Sequence, residues 1–76
     1  MKAWGINGWV GMEEPEQAYF RADAIEAINS EPYDEAWRCI ISLRSGATFT
    51  ALKGAKAECD AAVLSIYVAM REASNG

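Results

Sequence analysis

The stretch AWRCIISLRSGATFTAL, residues 36–52, decides the fold of this chain, because it has the pattern of a β-hairpin. Side chains alternate between the two faces of a strand, so residues two positions apart share a face. The residues that share the apolar face in the first half of the stretch are Trp37, Cys39, Ile41 and Leu43. Ser45–Gly46 is typical of a turn, and in residues 47–52 Phe49 lies opposite to its two threonine neighbours. We therefore predict two antiparallel strands that pack inward through the apolar face of the first strand and Phe49.

The next segment, from about Ala55 to Ala73, is rich in alanine and predicts a helix. Glu58 and Asp60 in its opening turns and Arg71 in its closing turn suit the helix dipole. At about 100° per residue, one face of this helix covers an arc of roughly 160°, and we expect it to pack on the sheet. The residues on this face are Cys59, Ala62, Val63, Ile66, Tyr67, Ala69 and Met70.

Leu64 and Val68 fall outside this arc and form a second small apolar stripe that the chain's own sheet would not reach. Single exposed aliphatic side chains are ordinary, so chance exposure is one interpretation and contact with a partner is the other. We predict that the single domain covers residues 1–73 and that residues 74–76 form a frayed tail.

At the other end of the chain, the stretch WGINGWVG, residues 4–11, contains the strongest short signal for a hairpin. A type I′ turn needs positive φ at both central positions, which Asn7–Gly8 adopts at low cost. The predicted arms are residues 2–6 and 9–12, with Trp4 in the core and Trp9 half-exposed near the turn. The alternative is that the two tryptophans line a ligand site. Gly5 and Gly11 are expected to loosen both arms.

The segment between this hairpin and residue 36 is ambiguous. Pro15 after two acidic residues could open a helix, and Phe20, Ala24, Ile25 and Ile28 recur at helical spacing. The same residues also fit two short strands around a bend. Residues 29–35 contain Pro32 and three acidic residues, a composition that favours a loop.

Residues 18–66 resemble the small flagellar proteins of the FlbD/SwrD type and small bacterial and phage proteins of similar layout. The shared pattern is two short strands, an acidic loop, a strand–turn–strand hairpin and a helix. The positions that carry it here are Tyr19, Phe20, Ile25, Ile28, residues 40–43, Gly46, Phe49 and the helix 61–70. The run 9–17 departs from this pattern. The resemblance implies strands rather than a helix for residues 18–28. The fold that it implies is therefore α+β: an antiparallel β-meander of four to five short strands, packed by one C-terminal helix.

The chain has 76 residues, a formal net charge of −4 and no clustered basic residues, and this charge distribution argues against direct nucleic-acid binding. Its acidic residues gather in two groups, Glu13, Glu14 and Glu16, and Glu31, Asp34 and Glu35. Solvated loop surface is the ordinary interpretation, and docking onto a basic partner is the alternative. The sequence shows neither a secretory signal nor an apolar run long enough for a membrane span, so we expect no membrane contact and a cytoplasmic location.

The residue types present argue against catalysis. The chain has no histidine, which removes the usual general base and most zinc sites. The two cysteines, Cys39 and Cys59, have no metal-ligand spacing and are expected to be reduced core thiols, with a sheet-to-helix disulfide as the alternative. We therefore expect no enzyme activity, no cofactor and no metal.

Three functions remain as hypotheses. The first is a non-catalytic protein-interaction module or adaptor, alone or as a homo-oligomer, with contacts from Trp4, Trp9, Tyr19, Leu64 and Val68. The second is a phage or mobile-element inhibitor that docks an acidic surface, built from Glu13, Glu14 and Glu16, onto a basic nucleic-acid-binding host protein. The third is a small-molecule binder at Trp4 and Trp9.

Overall fold

The computed structural model describes residues 3–13 and 17–75, the last of these by its backbone alone. In these parts of the chain, the elements are β1 (Ala3–Ile6), β2 (Trp9–Met12), β3 (Ala18–Arg21), a 3₁₀ turn (Ala22–Ala24), β4 (Ile25–Tyr33), β5 (Ala36–Leu43), β6 (Thr48–Gly54) and α1 (Lys56–Asn75). The strands form two three-stranded antiparallel sheets, in the orders β1-β2-β3 and β4-β5-β6. The predicted α+β class is confirmed. The predicted number of four to five strands is wrong, because the described residues form six.

The first hairpin turns where the sequence predicts. Asn7 and Gly8 have φ values of 51° and 83°, the positive angles that a type I′ turn requires. Ile6 pairs with Trp9 across the turn, and Trp4 pairs with Gly11 further along the hairpin. Lys2, which the sequence analysis includes in the first arm, lies outside the described residues.

Gly5 allows α1 to lie directly against β1. A Cβ atom at this position would lie 2.6 Å from the backbone oxygen of Ser65 and 2.7 Å from the Cβ atom of Ala69. The Gly5 amide also donates a hydrogen bond to the Ser65 hydroxyl at 3.0 Å. Gly5 therefore allows close packing of α1 on the first sheet. The expectation that Gly5 loosens the first arm does not include this contact with the helix.

The segment that could be helix or strand forms strands separated by the single 3₁₀ turn. The predicted loop at residues 29–35 is wrong, because β4 continues to Tyr33 and pairs with β5 as far as Tyr33 with Ala36. Pro32 is tolerated because β4 is an edge strand. No strand pairs with the open side of β4, so the backbone N–H that proline lacks removes no hydrogen bond between strands there. Only Asp34 and Glu35 form the turn, with Asp34 at φ 53°.

The hairpin at residues 36–52 is confirmed. Cys39 and Ile41 are fully buried on the inward face of β5, and Ile41 pairs with Phe49 on β6. Ser45 and Gly46 form the turn, where Gly46 adopts φ 97°. Phe49 also stacks on Phe20 of β3, with ring centroids 5.8 Å apart, so the two sheets share one core.

Helix α1 covers the inner faces of both sheets. It is held to the first sheet by the Ser65–Gly5 contact and to the second by a hydrogen bond from the Ser30 hydroxyl to Asp60 at 3.2 Å. The buried helix residues are Cys59, Ala62, Ile66 and Ala69. Tyr67, which the sequence analysis places on this face, is 50% exposed at the edge of the predicted arc. The helix continues through Ser74 and Asn75, which the sequence analysis assigns to a tail.

Candidate partner-binding surface

The outer face of the first sheet collects most of its large side chains. Strand alternation and the pairing register place five residues on the side of the sheet that faces away from α1. We call this surface the aromatic face, and its residues are Trp4, Ile6, Trp9, Tyr19 and Arg21. Ile6 and Tyr19 are 56% and 65% exposed, and the two tryptophans are half-buried.

The indole of Trp4 lies over β2 at Gly11. A Cβ atom on Gly11, its partner across the strands, would lie 2.6 Å from Cζ2 and 2.8 Å from Cε2 of the indole ring. Gly11 thus provides the space that the indole occupies. The expectation that Trp4 lies in the core is wrong, because the inward positions of the hairpin belong to Ala3, Val10 and Met12, which are buried.

Trp9 is held by two neighbours on β3. Its ring stacks on Tyr19 with centroids 5.2 Å apart and an interplanar angle of 11°. The guanidinium of Arg21, on the same face of the sheet, lies 5.5 Å from the centroid of the Trp9 ring. Such aromatic pairs contribute about 0.5–1.5 kcal/mol beyond the area they bury. The arrangement holds the Trp9 and Tyr19 rings in a defined orientation before any partner binds.

Arg21 and Ile6 of the aromatic face are not among the contact residues predicted from the sequence. The signal for both was the period of two residues, since Ile6 follows Trp4 and Arg21 follows Tyr19 at that spacing. The uncertain assignment of residues 18–28 hid this signal for Arg21.

Leu64 and Val68 are exposed, at 66% and 53%, as the sequence pattern predicts. Each is two residues from Ile66, which packs next to Gly5, and so points about 200° away from it around the helix. The structure therefore does not bring them together with Trp4, Trp9 and Tyr19. They form a separate apolar stripe on the solvent side of α1.

The two acidic groups have different outcomes. Glu13 is exposed at the end of β2, whereas Glu14 and Glu16 lie outside the described residues. In the second group, Glu31 is paired with Arg38 at 2.6 Å, and Arg38 also lies 4.2 Å from the centroid of the Tyr33 ring. Glu31 is therefore part of an ion pair on the second sheet and does not present a free acidic surface.

The buried thiols are poor nucleophiles. Cys39 and Cys59 are free and fully buried, so the sheet-to-helix disulfide is not formed. Burial, with a smaller contribution from the nearby Cys59, raises the pKa of Cys39 to about 11. The pKa of Cys59 is also raised, chiefly by burial and then by Asp60. Because the thiolate is the reactive form, neither position suits covalent catalysis.

Comparisons of the chain with models of protein families, with curated proteins and with solved structures find no match. The resemblance to the FlbD/SwrD type therefore stays a prediction. Within the described residues, no helix combines the length and the hydrophobicity needed to cross a membrane.

Proposed function

We propose that this protein is a non-catalytic interaction module that binds a partner protein through the aromatic face. The observation that carries the proposal is the grouping of three aromatic side chains and Ile6 on the outer face of one small sheet. Tryptophan, tyrosine and arginine contribute a large share of the binding energy at protein interfaces. All three residue types meet here.

The charge of the chain favours a protein over a nucleic acid as the partner. An aromatic sheet face can also stack bases, but nucleic-acid binding needs a basic surface to neutralise phosphates. The chain has a net charge of −4, and Arg21 on the aromatic face already lies 3.6 Å from Asp23. Small-molecule sites are usually concave, whereas the aromatic face is the outer surface of a sheet.

The size of the molecular surface favours a monomer that binds a different partner. The accessible surface of the chain is 4617 Å². The scaling of surface with mass gives about 4,600 Å² for a compact monomer of 8.3 kDa. The chain thus buries as much surface as a self-sufficient monomer, although half of its residues are hydrophobic. The total surface therefore gives no reason to require a permanent second copy for folding.

A photo-crosslinking experiment tests the proposal. Benzoylphenylalanine replaces Tyr19 in one variant and Tyr67 in a matched control, because both tyrosines are at least half exposed but lie on different surfaces. Each variant is irradiated in an extract of the cells that make the protein. We expect a discrete crosslinked partner from position 19 and none from position 67.

Competition makes the result specific for the aromatic face. An excess of unlabelled wild-type chain should suppress the crosslink at position 19, as should the helix variant L64S/V68S, whereas Trp9→Ala should not. Suppression by Trp9→Ala to the same extent as by wild type, or no crosslink at position 19, would contradict the proposal.

A further inference from the structure

The two cysteine side chains lie in the same part of the core, between the second sheet and the start of α1. Both are free thiols, both are fully buried, and both belong to one cluster of buried side chains. Cys39 is in the middle of β5, and Cys59 is in the first turn of α1. The contacts between this turn and the neighbours of Cys39 determine how close the two thiols are.

The first of these contacts lies along β5. The ammonium of Lys56, the first residue of α1, lies 5.3 Å from the centroid of the Trp37 ring. Trp37 comes two residues before Cys39 and shares its face of the strand. Gly54, which pairs with Trp37 from β6, leads into the helix through a single residue. The start of α1 is therefore held next to Cys39 along the strand.

The second contact lies across the strands. The Ser30 hydroxyl donates a hydrogen bond to Asp60 at 3.2 Å, and Ser30 is the residue that pairs with Cys39 between β4 and β5. Cys59 comes directly before Asp60 and is buried in the core. Because the helix is attached to neighbours of Cys39 on both sides, the buried Cys59 side chain lies next to the Cys39 thiol. A charge on Cys59 is also close enough to raise the pKa of Cys39.

We propose that Cys39 and Cys59 are a redox-sensitive pair, which a low-molecular-weight disulfide converts into an intramolecular disulfide between β5 and α1. The pair and the aromatic face lie on different sheets, so this inference is independent of the proposed function. One cysteine thiolate attacks a sulfur of the reagent, forms a mixed disulfide and releases one thiol. The second thiolate attacks the protein sulfur of the mixed disulfide and releases the other thiol. The two cysteines lose two electrons and two protons, and the reagent becomes two thiols.

The disulfide would hold the start of α1 on the centre of the second sheet. The chain between the two cysteines contains the turn after β5 and all of β6. A crosslink that closes such a loop restricts the unfolded chain much more than the folded chain, where the two residues are already neighbours. Burial raises the pKa of both thiols, so the thiolate is scarce at neutral pH and the exchange is slow. The pair therefore responds to sustained oxidising conditions and stabilises the fold under them.

Equilibration of the full chain in mixtures of reduced and oxidised glutathione tests this inference. Samples start from the reduced and from the oxidised protein, so that slow exchange does not affect the result. The equilibrium constant for forming the disulfide should be at least about tenfold larger in the folded chain than in the chain unfolded by urea. The urea midpoint of unfolding should accordingly be higher for the oxidised protein than for the reduced protein.

Mass spectrometry identifies the bond. The intact chain should lose about 2 Da, the mass of two hydrogen atoms. Trypsin should release one disulfide-linked pair of peptides, residues 39–44 and 57–71. Cys59→Ala, which keeps a good helix former in the first turn, is the control. The same treatment of this variant should give no linked peptides and no rise of the urea midpoint.

Three results would overturn the inference: an equilibrium constant no larger in the folded than in the unfolded chain, a urea midpoint that does not rise on oxidation, or disulfides only between chains. The crosslink at position 19 should be the same for the oxidised and the reduced protein, because the aromatic face is on the first sheet. Failure of the disulfide with a specific crosslink at position 19 therefore rejects the redox pair and keeps the interaction module, and the reverse result does the opposite.

Discussion

At the residue scale, the Cys39 thiol on β5 links core packing to pH. It is fully buried, and burial, with a further contribution from Cys59, raises its pKa from 9.0 to about 11. The unfolded chain therefore loses this proton near pH 9, while the folded chain keeps it until about pH 11. The unfolded state binds fewer protons in this window, so the free energy of unfolding falls as the pH rises through it.

We predict that the stability of the wild-type chain falls by up to about 2 kcal/mol between pH 9 and pH 11 on account of Cys39. Urea unfolding at half-unit pH steps, under reducing conditions, measures the slope. Cys39→Ala should be less stable at every pH because it leaves a cavity, yet its stability should fall less steeply in this window. Equal slopes in the two proteins would show that the thiol does not couple folding to pH.

At the element scale, the contact between α1 and β1 decides how the first sheet is placed. Gly5 brings the β1 backbone against the helix, and the Ser65 hydroxyl accepts its amide proton at 3.0 Å. Because β1 is an edge strand, this bond also closes part of an edge that would otherwise be open to pairing with another chain. The aromatic face on the other side of the sheet depends on this anchorage.

We predict that Gly5→Ala destabilises the chain by about 1–3 kcal/mol, the usual cost of overpacking. The new Cβ would meet backbone and a methyl group, neither of which can rotate away. Gly54→Ala is the matched control, since its Cβ would meet only the flexible carboxylate end of Glu58 at 2.8 Å. Chemical denaturation compares the two variants, and equal losses of stability would exclude a specific role for the helix contact at Gly5.

The elements differ in how far the sequence could predict them. The hairpins around Asn7–Gly8 and Ser45–Gly46 were predictable, because turn chemistry and a two-residue period agree there. The extension of β4 through Pro32 was not, since proline and acidic residues are typical of loops and only the edge position tolerates them.

The sequence pattern also could not predict which side of the first sheet faces the core. A period of two residues allows either face to point inward, and a one-residue change exchanges the faces. What places Trp4 outside is the approach of α1 to Gly5, a contact 60 residues apart in the chain. The candidate residues Trp4, Trp9 and Tyr19 were found from residue type, whereas their common surface required the structure.

At the scale of the whole molecule, two separate apolar surfaces, the aromatic face of the first sheet and the stripe of Leu64 and Val68 on α1, raise the question of self-association. Four exposed side chains, Ile6, Tyr19, Leu64 and Val68, could each contribute to contact between copies. Stable protein interfaces bury about 800 Å² on each partner. The aromatic face spans three strands of four residues each, which is a small footprint by comparison, and the helix stripe lies on a different surface. Neither surface alone matches the size of a stable dimer interface, whereas a transient contact with a different partner needs less area.

We therefore predict that the purified chain is a monomer of 8.3 kDa in solution. Light scattering coupled to gel filtration measures its mass, at low and at high salt, over a range of protein concentrations. The mass should stay constant with salt, because apolar surfaces rather than exposed charges would drive any association. A dimer that persists in L64S/V68S but is lost in Trp9→Ala would instead identify a second copy as the occupant of the aromatic face, whereas the reverse pattern would place the dimer contact on the helix.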